Sequence, residues 1–148
     1  MTKTNSLDIK YALPNAEGTA DQVLTSNGIG ADPTWEDSSG GGGGDTVQTL
    51  TDAASIAWNI TSGEIGIVTL AGNRALANPT NIVAGGRYTL IAKQDGTGSR
   101  TLSYGAYFKF PGAVTPVLTT NASAVDMVEF IAESTILLRC VNVIYDSK

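Results

Sequence analysis

Hydrophobic residues alternate with polar or small residues along most of the chain after residue 46. A period of two is that of a β-strand with one buried face. The clearest runs are 87–93 and 126–133, whose apolar members share one face: Tyr88, Leu90, Ala92, Val128, Phe130 and Ala132. No stretch has helical spacing, so the pattern predicts an all-β domain.

Turn residues separate these runs at short intervals, as in a domain of consecutive short strands. Gly72-Asn73, between two apolar runs, is a hairpin signal. The predicted strands are 47–51, 56–60, 65–71, 74–76, 87–93, 100–104, 107–110, 114–118, 126–133 and 135–145. This succession predicts an antiparallel β-sandwich or jelly-roll-like domain.

The first 46 residues have a different character, with few large apolar side chains and frequent Gly and Pro. The segment therefore cannot form a core of its own, and the five glycines 40–44 are typical of a flexible linker. The predicted organisation is an extended N-terminal arm at 1–39, a glycine-rich linker at 40–46 and the β-sandwich domain at 47–148.

Two features of the arm predict assembly contacts. Leu7, Ile9, Tyr11 and Leu13 alternate with polar or small residues, as in a strand that has no partner within the segment. Trp35 lies among polar residues and is a candidate anchor for a partner surface.

The last run, 135–145, is apolar on both faces, so it is either central in the domain or covered by another subunit. Together these features predict a homotrimer.

Composition argues against common catalytic chemistry. The chain has no histidine, which removes the commonest general base and metal ligand. Its one cysteine, Cys140, lies in an apolar run and is interpreted as a small buried hydrophobe. Glu129 and Glu133 share a strand face but are about 13 Å apart, too far for the carboxylate pair of a retaining glycosidase. Carboxylates from distant loops remain an open alternative. No cofactor or metal is expected.

Charge is distributed unevenly. Of the 14 acidic and 9 basic residues, 7 acids and 2 bases lie in 1–46, which leaves −5 there and zero in 47–148. Without a basic stripe, nucleic-acid binding is not expected. Solvation of the arm and a basic partner explain its acidity equally well. Asp95–Arg100 has a superficial likeness to a phosphate loop, but it lacks the Lys-Ser/Thr pair and precedes a strand, so a hairpin turn is expected.

The arm resembles a segment that recurs in bacteriophage tail-fibre and appendage proteins. The positions that carry the resemblance are Tyr11, Leu13, Pro14, Gly18, Thr19, Gln22, Val23, Leu24, Gly28, Gly30, Thr34 and Trp35. Residues 69–81 and 93–102 resemble β-domains of phage structural proteins. The resemblance implies a homotrimeric, non-catalytic protein exposed on the virion, and it assigns no binding residues. The chain is short for a fibre that reaches a host.

These observations give three hypotheses. In the first, the protein is a capsid decoration (cement) protein whose arms bind the major capsid protein or other virion proteins. In the second, it is a short tail or head fibre that attaches to the host surface. The third is a carbohydrate-binding or carbohydrate-degrading module with a host-surface glycan as partner, for which Tyr104 and Tyr107 are the candidate aromatic contacts. With no signal-peptide or membrane-span pattern, we expect synthesis in the host cytoplasm, no membrane insertion and a final location in the virion.

Overall fold

A computed structural model describes residues 22–25, 32–37 and 45–147. The chain divides into two compact units, 1–43 and 44–148. This division falls within the glycine-rich segment predicted as the linker at 40–46. The predicted strand at Leu7–Leu13 lies outside the described residues.

In the first unit, β1 (Gln22–Thr25) and β2 (Thr34–Asp37) form an antiparallel pair. Leu24 stands opposite Trp35 in this ladder, a cross-strand pairing of an aliphatic and an aromatic residue that stabilises two-stranded structure. Residues 1–39 were predicted as an extended arm, and this hairpin within them was not foreseen. The overlooked signal is the pair of short β-favouring runs on either side of Gly28 and Gly30.

The second unit contains a six-stranded and a three-stranded sheet, and the all-β prediction is confirmed. The larger sheet has the order β3-β5-β7-β10-β11-β9, and the smaller one β4-β6-β8. The strands are β3 (Val47–Thr49), β4 (Ser55–Ile56), β5 (Ile65–Leu70), β6 (Arg74–Leu76), β7 (Arg87–Gln94), β8 (Leu102–Tyr104), β9 (Phe108–Lys109), β10 (Val125–Ser134) and β11 (Leu137–Ile144).

From β3 to β8 the chain alternates between the two sheets, so each strand pairs with the strand two positions away along the chain. The pairs β3–β5, β5–β7, β4–β6 and β6–β8 are all parallel, and β9 pairs parallel with β11. Only β7–β10 and β10–β11 are antiparallel among the described strands of this unit. The expected antiparallel pairing, which a jelly roll requires, is therefore wrong for most of the domain.

The error has a simple physical cause. A short turn between two apolar runs can reverse the chain into a hairpin or carry it to a different sheet, and the local signal is the same. Gly72-Asn73 was expected to close a hairpin, but β5 and β6 lie in different sheets. The loop at Asp95–Arg100 likewise joins strands of different sheets.

Both sheets contribute to one buried cluster. The predicted faces of β7 and β10 are confirmed, since their alternate apolar residues are buried. Trp58 is 1% exposed, donates its indole N–H to the carbonyl of Gly63 at 2.9 Å and meets Tyr88 edge to face. The largest fully buried apolar side chains are Trp58, Phe130, Ile56, Leu70, Leu76, Leu90, Leu138, Val68 and Val128.

Several predicted strands are shorter than expected, and the runs at 56–60 and 114–118 depart further from the prediction. The run at 56–60 ends as a strand at Ile56, and a 3₁₀ helix follows at Ile60–Ser62 because the Asn59 side chain accepts a hydrogen bond from the Thr61 N–H. The run at 114–118 belongs to no strand, and a second 3₁₀ helix precedes it at Pro111–Ala113. Pro116 offers no backbone N–H for a ladder at its centre.

Candidate binding groove

An apolar groove of about 580 Å³ runs between the second half of β11 and the segment that precedes Leu118. We call it the β11 groove. None of its lining residues is charged: Phe110, Pro111, Val114, Thr115, Pro116, Val117, Cys140, Val141, Asn142, Val143 and Tyr145. A concave, largely apolar surface of this size is typical of a binding site.

One wall of the groove is shaped by a β-bulge. Phe130 of β10 stands opposite Cys140, while Glu129 stands opposite Asn142, so Val141 has no partner on β10. The extra residue shifts the alternation along β11. Cys140 faces the core, whereas Val141 is 51% exposed. The predicted doubly apolar strand is therefore buried on one face and open along much of the other.

The same wall has an uncovered strand edge. β9 pairs with β11 only at Leu138 and Arg139. From Val141 to Ile144, β11 has no outer neighbour among the described strands. Three consecutive residues of this part, 141–143, line the groove, so the groove follows the edge of the strand as well as its face.

The opposite wall comes from the segment that was expected to be a strand. Val114 is 73% exposed and Val117 is 76% exposed, the highest values among the exposed large hydrophobic residues described. Phe110 at its base packs against the core, with its ring 4.9 Å from that of Tyr104 and 6.1 Å from that of Phe130. The wall thus presents apolar side chains on a segment that is anchored below.

The carboxylate of Asp126 ties the two walls together. It is 2% exposed and accepts backbone N–H groups from Thr119 at 2.5 Å and from Asp146 at 2.8 Å. Thr119 follows one wall and Asp146 follows Tyr145 in the other. Sequence reasoning missed this role, although Asp126 lies two residues before Val128 on the buried face of β10, where a carboxylate needs hydrogen-bond donors.

Burial makes two reactive-type side chains poor acids: Cys140, which lines the groove, and Tyr104, which packs against Phe110 below it. Burial raises the pKa of the Cys140 thiol, which is free and buried, as predicted for a small hydrophobe. Burial also raises the pKa of Tyr104 far above its ordinary range, with smaller contributions from Cys140 and Asp126. Both groups stay neutral at pH 7, so the groove offers shape and apolar surface to a partner.

A second cleft of about 480 Å³ adjoins the groove and shares Phe110 and Thr115 with it. It carries two cations on neighbouring strands, because Arg139 of β11 stands beside Lys109 of β9. Arg139 pairs with Glu133, and Lys109 donates to the carbonyl of Ala106 at 2.8 Å. The charged cleft and the uncharged groove are therefore distinct surfaces.

The residues selected from sequence occupy other places. Leu7, Ile9, Tyr11 and Leu13 lie outside the described residues. Trp35 is half-buried in β2, opposite Leu24.

Tyr104 and Tyr107, the candidate aromatic contacts for a glycan, both pack against the core. The exposed aromatic at the groove is Tyr145, at 52%, which ended the last predicted strand and had no assigned role.

Two searches of the described residues gave no candidate. No helix there is long and apolar enough to cross a membrane, and no group of three or more His, Cys, Asp or Glu is placed to hold a metal ion. Comparison with protein-family models, with curated proteins and with solved structures found no match.

Proposed function

We propose that this protein is a non-catalytic structural protein of a bacteriophage virion: a homotrimeric capsid decoration, or cement, protein whose arms bind neighbouring shell subunits. The observation that carries the proposal is the β11 groove, where exposed valines surround an uncharged surface. Contiguous exposed apolar surface of this kind marks a site of association. The fibre-type motif that ends at Trp35 gives that association its virion context.

Two regions share the work in this proposal. The domain, a two-layer sandwich-like body with mixed strand directions, forms the trimer on the shell. In this proposal the arm makes the contacts with the shell: Leu7, Ile9, Tyr11 and Leu13 extend a sheet edge of a neighbouring subunit, and Trp35 fills an apolar pocket. Three arms in each trimer give avidity, since the first contact raises the effective concentration of the others.

The expected effect on the particle follows from mass action. A protein that binds only the assembled shell stabilises it against disassembly. Particles that lack the protein should release DNA at a lower temperature, or under milder chelator treatment, while they adsorb to cells normally. Hundreds of copies per particle are expected.

Trp35→Ala should reproduce part of this defect, because removing a buried anchor of that size costs on the order of 2–4 kcal/mol of binding. Thr25→Ala, in the neighbouring strand of the same hairpin, is the matched control and should leave particle stability unchanged. DNA release during a thermal ramp, followed with an intercalating dye, measures both variants.

The motif in the arm also favours a second function, that of a short tail or head fibre. Its signature is the opposite one: particles without the protein keep their heat stability but fail to adsorb, and the copy number is in the tens or fewer. That result would replace the cement proposal.

A further inference from the structure

We propose that the β11 groove is an interface between copies of this chain, covered by a second copy in solution. This proposal names the partner that the groove binds. It rests on the proposed function only for the number of subunits, which is three in the proposed trimer.

The residues at the β11 groove expose a large apolar area. Val114, Val117, Val141, Ile144 and Tyr145 are exposed to between 39% and 76%, and all except Ile144 line the groove. Summed over whole residues, these fractions correspond to exposed surface on the order of 500 Å², in the range of the largest apolar patches on monomeric proteins. A stable interface buries about 800 Å² on each partner. The residues at the groove can therefore supply much of the area that an interface needs.

The β11 groove also lacks charge. The groove lining has no charged residue. The centres of protein–protein interfaces are depleted of charged residues relative to the rest of the surface, and interfaces between identical subunits are the more apolar ones. The domain itself is also balanced, because residues 47–148 carry 7 acids and 7 bases. Two domains therefore approach each other without net repulsion.

The edge of β11 along the groove is unprotected. Soluble monomers protect free strand edges with charged residues, proline or covering loops. Between Val141 and Ile144, the sequence offers only Asn142 among apolar residues, and the Asn142 amide is bonded to Glu129. A strand edge that carries apolar residues avoids aggregation in solution when a permanent partner covers it. A second copy of the same chain can be such a partner, because it is present wherever the protein is.

The groove is also preorganised for a partner. The Asp126 carboxylate holds the backbone on both walls, and the Ser147 N–H adds a bond of 2.8 Å to the carbonyl of Val125. Walls that are already fixed lose little entropy on association, which favours a tight contact.

The test uses the full-length chain and compares Val117→Glu with Val83→Glu. Both valines are highly exposed, at 76% and 65%, but Val83 lies outside the groove. Multi-angle light scattering and sedimentation velocity at micromolar concentration give the oligomeric state, and circular dichroism confirms that the variants are folded. We expect a trimer for the wild type and for Val83→Glu. For Val117→Glu we expect a monomer, with at least a 100-fold higher dissociation constant.

Val114→Glu is a second variant, and it should dissociate the protein in the same way. A wild-type trimer that survives both groove substitutions would overturn the inference and leave the proposed function standing on another interface. A wild-type monomer would overturn both the inference and the trimer, and binding of that monomer to particles would then test the virion role separately.

Discussion

The side-chain amide of Gln94 bonds to both backbone groups of Arg100: it donates to the carbonyl at 2.9 Å and accepts from the N–H at 2.9 Å. Gln94 ends β7 and is 5% exposed, so its amide replaces a missing ladder pair where the chain leaves one sheet for the other. Within the loop, the Asp95 carboxylate accepts the N–H groups of Thr97 and Gly98 as well as the Arg100 guanidinium. These donors are satisfied internally, which argues against a phosphate cradle.

Gln94→Glu should destabilise the domain at pH 7, because the new carboxylate cannot donate to the Arg100 carbonyl. Leaving a buried group without its partner costs about 1–3 kcal/mol. Urea unfolding measures the loss. Asn73→Asp is the matched control, since Asn73 uses only its oxygen as an acceptor, from the Thr101 N–H, and is exposed. Equal losses in the two variants would contradict the assigned role.

The ion pair between Asp52 and Arg74 predicts a pH dependence. The Arg74 guanidinium donates at 2.8 and 2.7 Å and holds the pKa of Asp52 below its ordinary value. A lowered folded pKa means that this stabilisation is present above the unfolded pKa of about 3.9. It is lost as the pH falls through the folded pKa.

We therefore expect the free energy of unfolding to fall less steeply between pH 5 and pH 3 in Arg74→Gln than in the wild type. Urea titrations across this range test it. Arg87→Gln also removes one exposed positive charge and should keep the wild-type slope.

Asp126→Ala should loosen the β11 groove. Without the carboxylate, the N–H groups of Thr119 and Asp146 lose their acceptor, and we expect their amide hydrogen exchange to accelerate at least about tenfold. Asp126→Asn keeps one acceptor oxygen and should have an intermediate effect. Unchanged exchange at both amides in the alanine variant would show that other contacts fix the walls.

Gly66→Ala should lower the melting temperature. A Cβ at Gly66 would lie 3.0 Å from Cε2 of Trp58 and 3.0 Å from Cδ1 of Leu50. Overpacking of this kind costs about 1–3 kcal/mol. At Gly96 an added Cβ meets nothing within 4 Å, so Gly96→Ala is the control and should melt like the wild type.

Residues 45–148 should fold without the arm. This segment contains both sheets of the domain and its whole buried cluster. We expect a single cooperative unfolding transition that matches the full-length chain, together with loss of binding to particles. An insoluble or molten fragment would show that the boundary lies elsewhere.

The sequence by itself determined where the long strands lie and which face of each is buried. In β7 and β10 every second residue is apolar, and only one orientation of a strand removes those side chains from water. The burial of Cys140 could be predicted in the same way, from its apolar neighbours in the sequence. The short strands were predicted less well. At 56–60 the strand ends at Ile56 and a 3₁₀ helix follows, because the Asn59 side chain accepts a backbone N–H that a strand would use for pairing.

Only the tertiary structure decided which strands pair. Gly72-Asn73 and Asp95–Arg100 were expected to form hairpins, yet both carry the chain to the other sheet, since burial in a shared core outweighs the preference of a turn. The β11 groove arose in the same way. The bulge at Val141 depends on pairing with β10, and the position of the Asp126 carboxylate depends on a hydrogen bond to Asp146, 20 residues away. A local sequence pattern cannot predict such long-range contacts.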